Sequence, residues 1–192
     1  MRKPRCANAV NGQAKLIQGD ARETQLPNAS FDLSHARLLL VNVPKPQDVV
    51  NELVRVTKPG GVVALHEVDW VSWVCEPMVE SWERLKTAAK TVWTQNGLDV
   101  HIGRRLPAML RGAGLTDIRI QTRSYAWRAG DLKQTFLLGI LKRIRKDIVA
   151  RGLLSAEEVL RFERELKAHL TNPETVVLSP TYFQVWGKKQ GN

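Results

Sequence analysis

The stretch from Phe31 to Trp70, FDLSHARLLLVNVPKPQDVVNELVRVTKPGGVVALHEVDW, constrains this chain more than any other. An apolar run comes first, from Phe31 to Val43. Pro44 and Pro46 break it and open a helix, which Lys58-Pro59-Gly60-Gly61 closes. A second apolar run, Val62 to Val68, ends in acidic residues. Two buried strands joined by one helix and tight loops make a βαβ crossover, and that connection implies a parallel sheet. Pro59 presets φ for the second position of a turn, and Gly60 permits the positive φ that a type II turn needs next. Val49, Val50, Leu53 and Val56 recur at helical spacing, so one face of the helix packs on the sheet. In open parallel sheets, ligands sit beyond the carboxyl ends of the strands. Those ends carry His35, Ala36 and Arg37 in the first strand, and His66, Glu67 and Asp69 in the second.

The rest of the chain continues the α/β pattern. Met1 to Gln13 is polar and is expected to be a flexible arm, followed by a short strand over Ala14 to Gln18. Pro77 to Gln95 reads as a helix with Val79, Trp82, Leu85, Ala89 and Val92 in one stripe, and Asn96-Gly97 ends it. A second helix runs from Leu106 to Ala113 and stops at Gly114; Ile118 to Ser124 then alternates as a strand does. Leu132 to Ala150 is helical, with Phe136, Leu137, Ile140, Leu141, Ile144 and Ile148 inward. Ser155 and Glu158 form a capping box for the next helix. Val176 to Trp186 is the last strand region, and Pro180 predicts a bulge or an edge within it.

An ordered set of short pieces resembles the class I S-adenosylmethionine-dependent methyltransferases of the small-molecule type. The pieces are Gly19-Asp20-Ala21, Leu26-Pro27, Phe31-Asp32-Leu33, Val43-Pro44-Lys45-Pro46 and Lys58-Pro59-Gly60-Gly61, then Ile102-Gly103-Arg104-Arg105-Leu106-Pro107, Ala113-Gly114-Leu115 and Phe183-Gln184-Val185-Trp186-Gly187. The resemblance implies a Rossmann-like fold: a mostly parallel sheet with an antiparallel C-terminal strand. It also implies a partial domain over residues 14–192, with residues 132–172 as a helical lid insertion. The family's glycine-rich loop has no counterpart in the eighteen residues before Gly19, nor has the acidic residue that holds the ribose hydroxyls. The expectation is therefore a methyltransferase fold truncated at its N-terminus, without the first two strand-helix units. The Phe31 strand would then be an exposed apolar edge. Three outcomes follow: the Ala14 strand closes up beside it, two chains pair across it as a homodimer, or the chain is marginally stable.

The same resemblance implies S-adenosylmethionine as cofactor and methyl transfer to a small molecule as the reaction, impaired if the missing loop is essential. By carry-over, Asp20 would accept a hydrogen bond from the adenine amino group and the Ala21 N–H would meet a ring nitrogen. Ser34 and Arg37 complete the expected cofactor set. Expected catalytic candidates are His35, His66 and Glu67; expected substrate contacts are Asp69, Trp70, His101 and Arg104. The alternative from another class is a non-catalytic methyltransferase-like protein that acts through partner or self association.

Composition sets bounds. A chain of 192 residues can bury a sizeable core. The formal net charge is +10, but Lys and Arg are spread along the chain and interleaved with acids, without an RNA-binding signature. Nucleic acid is thus not an expected partner. No run approaches the roughly 20 apolar residues of a membrane span, so no membrane is expected. Cys6 and Cys75 are far apart and read as free thiols in a reducing, cytoplasmic setting. His35, His66, His101 and His169 show no metal-ligand spacing, and no metal is expected.

Overall fold

The computed structural model describes residues 15–191. Strand β1 (Phe31–Arg37) is followed by a 3₁₀ turn at Leu40–Asn42, helix α1 (Pro46–Val56) and strand β2 (Thr57–Asp69). β1 and β2 pair in parallel, as a βαβ crossover requires, and Gly60 takes a positive φ of 77° between the helix and the buried part of β2. The apolar run after Phe31 does not stay extended to Val43. Leu38 adopts a positive φ of 50° and the chain leaves the sheet there, so Leu40 and Val41 are buried by the turn rather than by the strand.

Beyond β2 come β3 (Val74–Glu76), α2 (Glu80–Gln95), a 3₁₀ turn at Ile102–Arg105, α3 (Leu106–Gly112) and β4 (Leu115–Arg123). Then follow β5 (Ala126–Arg128), α4 (Phe136–Ala150), α5 (Ala156–His169), β6 (Val176–Leu178) and β7 (Thr181–Lys189). The main sheet has the order β1-β2-β7-β4. β7 runs antiparallel to both neighbours, so β1, β2 and β4 point one way and the C-terminal strand points the other. Pro180 separates β6 from β7, and β3-β6-β5 form a small second sheet that periodicity does not announce because each strand has three residues. The capping box at Ser155 and Glu158 is formed in both directions.

The core sits on one face of the main sheet and within a layer of helices. Ser34 and Ala36 of β1, Val63 and Leu65 of β2 and Val185 of β7 share the face covered by α1 and α3. Each buried Val or Leu there contributes about 1.5–3 kcal/mol. Gly103 lets the 3₁₀ turn close on this face; a Cβ there would lie 2.8 Å from Phe183 and 3.0 Å from the Val68 backbone. Helices α2, α4 and α5 pack on one another around Trp82, Leu85, Leu141, Phe162 and Leu166. The opposite sheet face carries Leu33, His35 and Arg37 from β1 and Arg119, Gln121 and Arg123 from β4, all exposed.

The expected strand over Ala14 to Gln18 does not form: residues 15–18 have no regular structure, and Ala14 itself lies outside the described residues, as does the arm over residues 1–13. The physical reason is where the segment is anchored. Thr24 bonds the Glu52 carboxylate through both its N–H and its hydroxyl, and the Arg55 guanidinium holds Leu26 O and Asn28 Oδ1. Residues 24–28, just after it, are therefore tied to α1, and residues 15–18 make no strand pairing with the free edge of β1. Within the described residues β1 has β2 as its one strand neighbour, and Phe31 and Leu33 stay exposed at 40% and 59%.

Candidate functional site

Two hollows meet at the carboxyl end of β1. The first is a groove of about 440 Å³ between Gly19-Asp20-Ala21-Arg22 and the segment after β1, Leu39, Asn42, Val43 and Pro44. The second is an apolar cavity of about 270 Å³. Its floor is Leu38, Val41 and Asn42, its walls are Val68, Trp70, Trp93, Pro180 and Tyr182, and α4 roofs it with Phe136, Ile140, Arg143 and Ile144. Asn42 lines both hollows. Its side-chain amide donates to Leu38 O at 3.0 Å, which fixes it across the 3₁₀ turn.

Glu67 explains why that turn has its shape. The side chain is fully buried at the end of β2, and its Oε1 accepts from the N–H groups of Leu39 and Leu40, both at 2.7 Å. A buried carboxylate thus satisfies the backbone donors that open the turn. Burial pushes the Glu67 pKa up to about 7 against the pull of those N–H groups, and Oε2 has no partner. Glu67 does not open into either hollow; it positions the segment that separates them.

Asp69, His101 and Arg104 come together as expected, but as a closed cluster. Asp69 is 1% exposed and accepts from Val71 N–H at 2.9 Å, from His101 Nδ1 at 2.8 Å and from Arg104 Nε. Burial works to raise the Asp69 pKa, but the bonds from Arg104, Val71 and His101 outweigh it and hold the carboxyl below its usual range. The cluster pins the Ile102–Arg105 turn to the end of β2. Asp69→Ala is expected to cost about 2–4 kcal/mol, because two side-chain donors and one N–H lose a buried acceptor, while Asp69→Asn keeps part of it. Denaturant unfolding of both variants checks this; equal stability of Asp69→Ala and the parent chain is the contrary result.

Trp70 separates from that trio and lines the apolar cavity, against Trp73 at 4.9 Å and Trp93 at 5.6 Å between ring centroids. His66 stands half-buried on the open sheet face, 5.6 Å from the Tyr182 ring, and burial with Arg37 and His35 nearby lowers its pKa. His35 and Arg37 are exposed on that face. Ser34 drops out of the cofactor set: it is buried on the α1 side, with its hydroxyl 2.7 Å from that of Thr57, and lines neither hollow. Asp20 and Ala21 line the groove. The Asp20 carboxylate is engaged by Arg22, through its N–H at 2.9 Å and Nη2 at 2.6 Å, and this pair lowers the Asp20 pKa to about 2. Asn42, Trp93, Arg143 and Tyr182 were not singled out from the sequence. Asn42 had a usable signal, a lone amide in Leu38-Leu39-Leu40-Val41-Asn42-Val43; the other three come from distant elements that meet only in three dimensions.

The family described as "Methyltransferase domain" matches residues 2–65. A demethylmenaquinone methyltransferase of Geobacillus kaustophilus is 30% identical over 57% of this chain and 52% of its own length. The sterol 24-C-methyltransferase erg-4 of Neurospora crassa is 37% identical over 31% of this chain and 16% of its own. The chain spans about half, or less, of the length of these curated relatives. Among solved structures, the YcgJ protein of Bacillus subtilis superposes with a TM-score of 0.53 at 17% identity, covering 92% of this chain and 71% of that one. A protein of Bacillus halodurans assigned as a methyltransferase gives 0.50 at 14% identity, covering 90% and 70%.

Over part of its length the chain is similar to methyltransferases. Its fold is Rossmann-like. Among the described residues no group of side chains could hold a metal ion, and no helix is long and apolar enough to cross a membrane.

Proposed function

We propose that this methyltransferase relative transfers the methyl group of S-adenosylmethionine to a small, largely apolar acceptor held in the cavity beneath α4. The observation that carries this reading is the shared wall at Asn42, where a groove bearing Asp20 and Ala21 adjoins an apolar cavity of about 270 Å³. When bound, the cofactor supplies an electrophilic methyl on a sulfonium. This chain's part is to place the acceptor beside it and exclude water, and positioning of that kind supplies much of the rate of a displacement.

The residues present fit an adenosyl group in part. The groove offers an exposed carboxylate, the apolar Leu39, Val43 and Pro44, and an Ala21 N–H with no hydrogen bond among the described residues. For Asp20 to accept from an amino group, it exchanges part of its bonding to Arg22, an exposed pair that contributes little by itself. Arg37, close enough to His66 to influence its charge, is free to meet a carboxylate. In the cavity, Trp70, Trp93 and Phe136 would pack against the acceptor, and Asn42, Arg143 and Tyr182 are the polar groups at hand. His66, beside the cavity residue Tyr182 and held toward its neutral form, is the candidate to accept a proton from the acceptor. The relatives' acceptors, a demethylmenaquinone and a sterol, are lipophilic molecules, in keeping with the lining. Helices α4 and α5, between residues 132 and 172, serve as the lid. Cys75 is a buried free thiol, pushed up to about 11 by burial, as suits a cytoplasmic protein.

Calorimetric titration with S-adenosylmethionine and its demethylated product tests this reading. Saturable binding is expected, weakened about tenfold by Asp20→Ala, a loss of roughly 1.4 kcal/mol. Failure to bind at millimolar ligand, by a chain shown to be folded, overturns it. A second reading has one specific observation in its favour: β1 pairs only with β2 among the described residues and leaves Phe31 and Leu33 exposed. Self-association across this edge is a route to a homodimer, with or without catalysis. Sedimentation that shows a concentration-dependent dimer, lost in Leu33→Lys, supports it; a monomer at all concentrations excludes it.

A further inference from the structure

We propose that the outer face of α4 seats the chain on an anionic lipid surface, so that a lipid-soluble acceptor enters the cavity from the bilayer. This rests on the reading of that cavity as the acceptor site.

Helix α4 is two-sided. Leu137, Ile140, Leu141 and Ile148 turn into the core, and Phe136, Ile140, Arg143 and Ile144 reach the cavity. The outer side carries Lys142, Arg143 and Lys146 within two turns, all exposed and none in an ion pair among the described residues. Asp147 is the only acid in the helix. At its N-terminal end Leu132 is 93% exposed and Phe136 44%, and Val71, next to the cavity residue Trp70, is 64% exposed. One exposed leucine needs no explanation. Apolar side chains at the end of a row of unpaired cations, on a helix that roofs an apolar cavity, make a surface of the kind that lies in a membrane interface.

The charge selects the occupant. A second copy of a chain with a net charge of +10 would bring cations against cations. An acidic protein or a nucleic acid would satisfy Lys142, Arg143 and Lys146, but would leave Leu132, Phe136 and the apolar cavity without a counterpart. An anionic bilayer satisfies both: lipid phosphates meet the cations, and Leu132 enters the boundary between headgroups and acyl chains beside the mouth of the cavity at Phe136. The helix needs no swing to do this, because Arg145 bonds Glu163 of α5 and ties it down. Helix α4 is not long and apolar enough to span a bilayer, so it lies on the surface.

Vesicle co-sedimentation tests the proposal, with phosphatidylcholine vesicles alone and with added phosphatidylglycerol. The chain is expected to pellet with the anionic vesicles and stay in solution with the neutral ones. Lys142→Glu combined with Lys146→Glu is expected to weaken partitioning at least tenfold, and Leu132→Asp about tenfold. All three positions are exposed, and circular dichroism with thermal melting confirms that each variant is folded. Equal sedimentation with neutral vesicles, no sedimentation with either, or insensitivity to Leu132→Asp overturns it. So does binding to a polyuridine strand as tight as to the anionic vesicles. The measurement needs neither cofactor nor acceptor. A chain that binds vesicles but not S-adenosylmethionine would fail the catalytic reading, and with it the acceptor's route, and keep only the seat on the lipid surface; a chain that binds S-adenosylmethionine but not vesicles would keep the catalytic reading alone.

Discussion

Trp73→Ala is expected to lower the stability of the chain by about 3–5 kcal/mol, the usual cost of truncating a large buried aromatic. Trp73 is 0% exposed and joins the cavity to the helical layer: its ring lies 4.9 Å from Trp70, 5.5 Å from Trp82 and 5.9 Å from Phe136. Its indole N–H is buried without a partner, so part of the ring's favourable burial is already offset by one unsatisfied donor. Trp73→Phe removes that donor along with some volume and is therefore expected to cost only about 1–2 kcal/mol. In a chain of this size the alanine variant should melt roughly 6–20 °C lower. Because Trp70 and Phe136 both line the cavity, the same variant should also weaken binding of an apolar probe, with less effect on cofactor binding in the Asp20 groove. A melting temperature for Trp73→Ala equal to that of the parent chain is the result that contradicts this packing.

The second large effect is a pH dependence set by Glu67. In the folded chain its pKa is pushed from 4.5 to about 7, chiefly by burial. The unfolded chain returns it to its ordinary value, so between these two pH values the folded state binds more protons than the unfolded one. Stability then falls as pH rises through that window, by about 3 kcal/mol in total. The contribution is fully present below about pH 4.5 and gone above about pH 7. Gln in place of Glu67 keeps an oxygen for the Leu39 and Leu40 N–H groups but has no proton to lose. The Glu67→Gln chain should match the parent near pH 5 and exceed it near pH 8, by a difference on the order of 5–10 °C in melting temperature. His66 acts in the opposite sense, since its lowered pKa makes the folded state less stable as pH falls. The difference between parent and Glu67→Gln removes that common background. Parallel melting curves for the two chains across the whole range would refute the assignment. The functional consequence lies one step away, because Glu67 holds the turn that carries Asn42, where groove and cavity meet.

How far the sequence reaches can be seen residue by residue. The crossover from Phe31 to Trp70 was legible because its signals are local: a proline pair at a helix start, a Pro-Gly-Gly turn and apolar residues at helical spacing each act within a few residues. The same holds for the capping box at Ser155 and Glu158. The likeness to methyltransferases was legible from the order of short pieces, and Asp20, Ala21 and Trp70 fall where a groove and a cavity lie. Other assignments were not legible. Ser34 and Arg37 sit on one strand three residues apart, and strand alternation puts one in the core and the other in the open. Glu67 and His66 are adjacent for the same reason, yet one is sealed behind a turn and the other faces Tyr182. Ala14 to Gln18 reads as a strand, but a strand needs a partner's backbone, and the bonds of Thr24 and Arg55 tie the residues that follow it to α1.

The sequence by itself therefore determined the α/β class, the parallel crossover, most helix positions and the likeness to methyltransferases. These follow from side-chain periodicity and turn chemistry, which depend on neighbours along the chain. Only the tertiary structure decided that Asn42 stands between two hollows, that Asp69 is consumed by His101 and Arg104, and that α4 shows cations and bare apolar side chains above an apolar cavity. Those facts depend on residues tens of positions apart meeting across a packed interior. No local propensity encodes such a meeting.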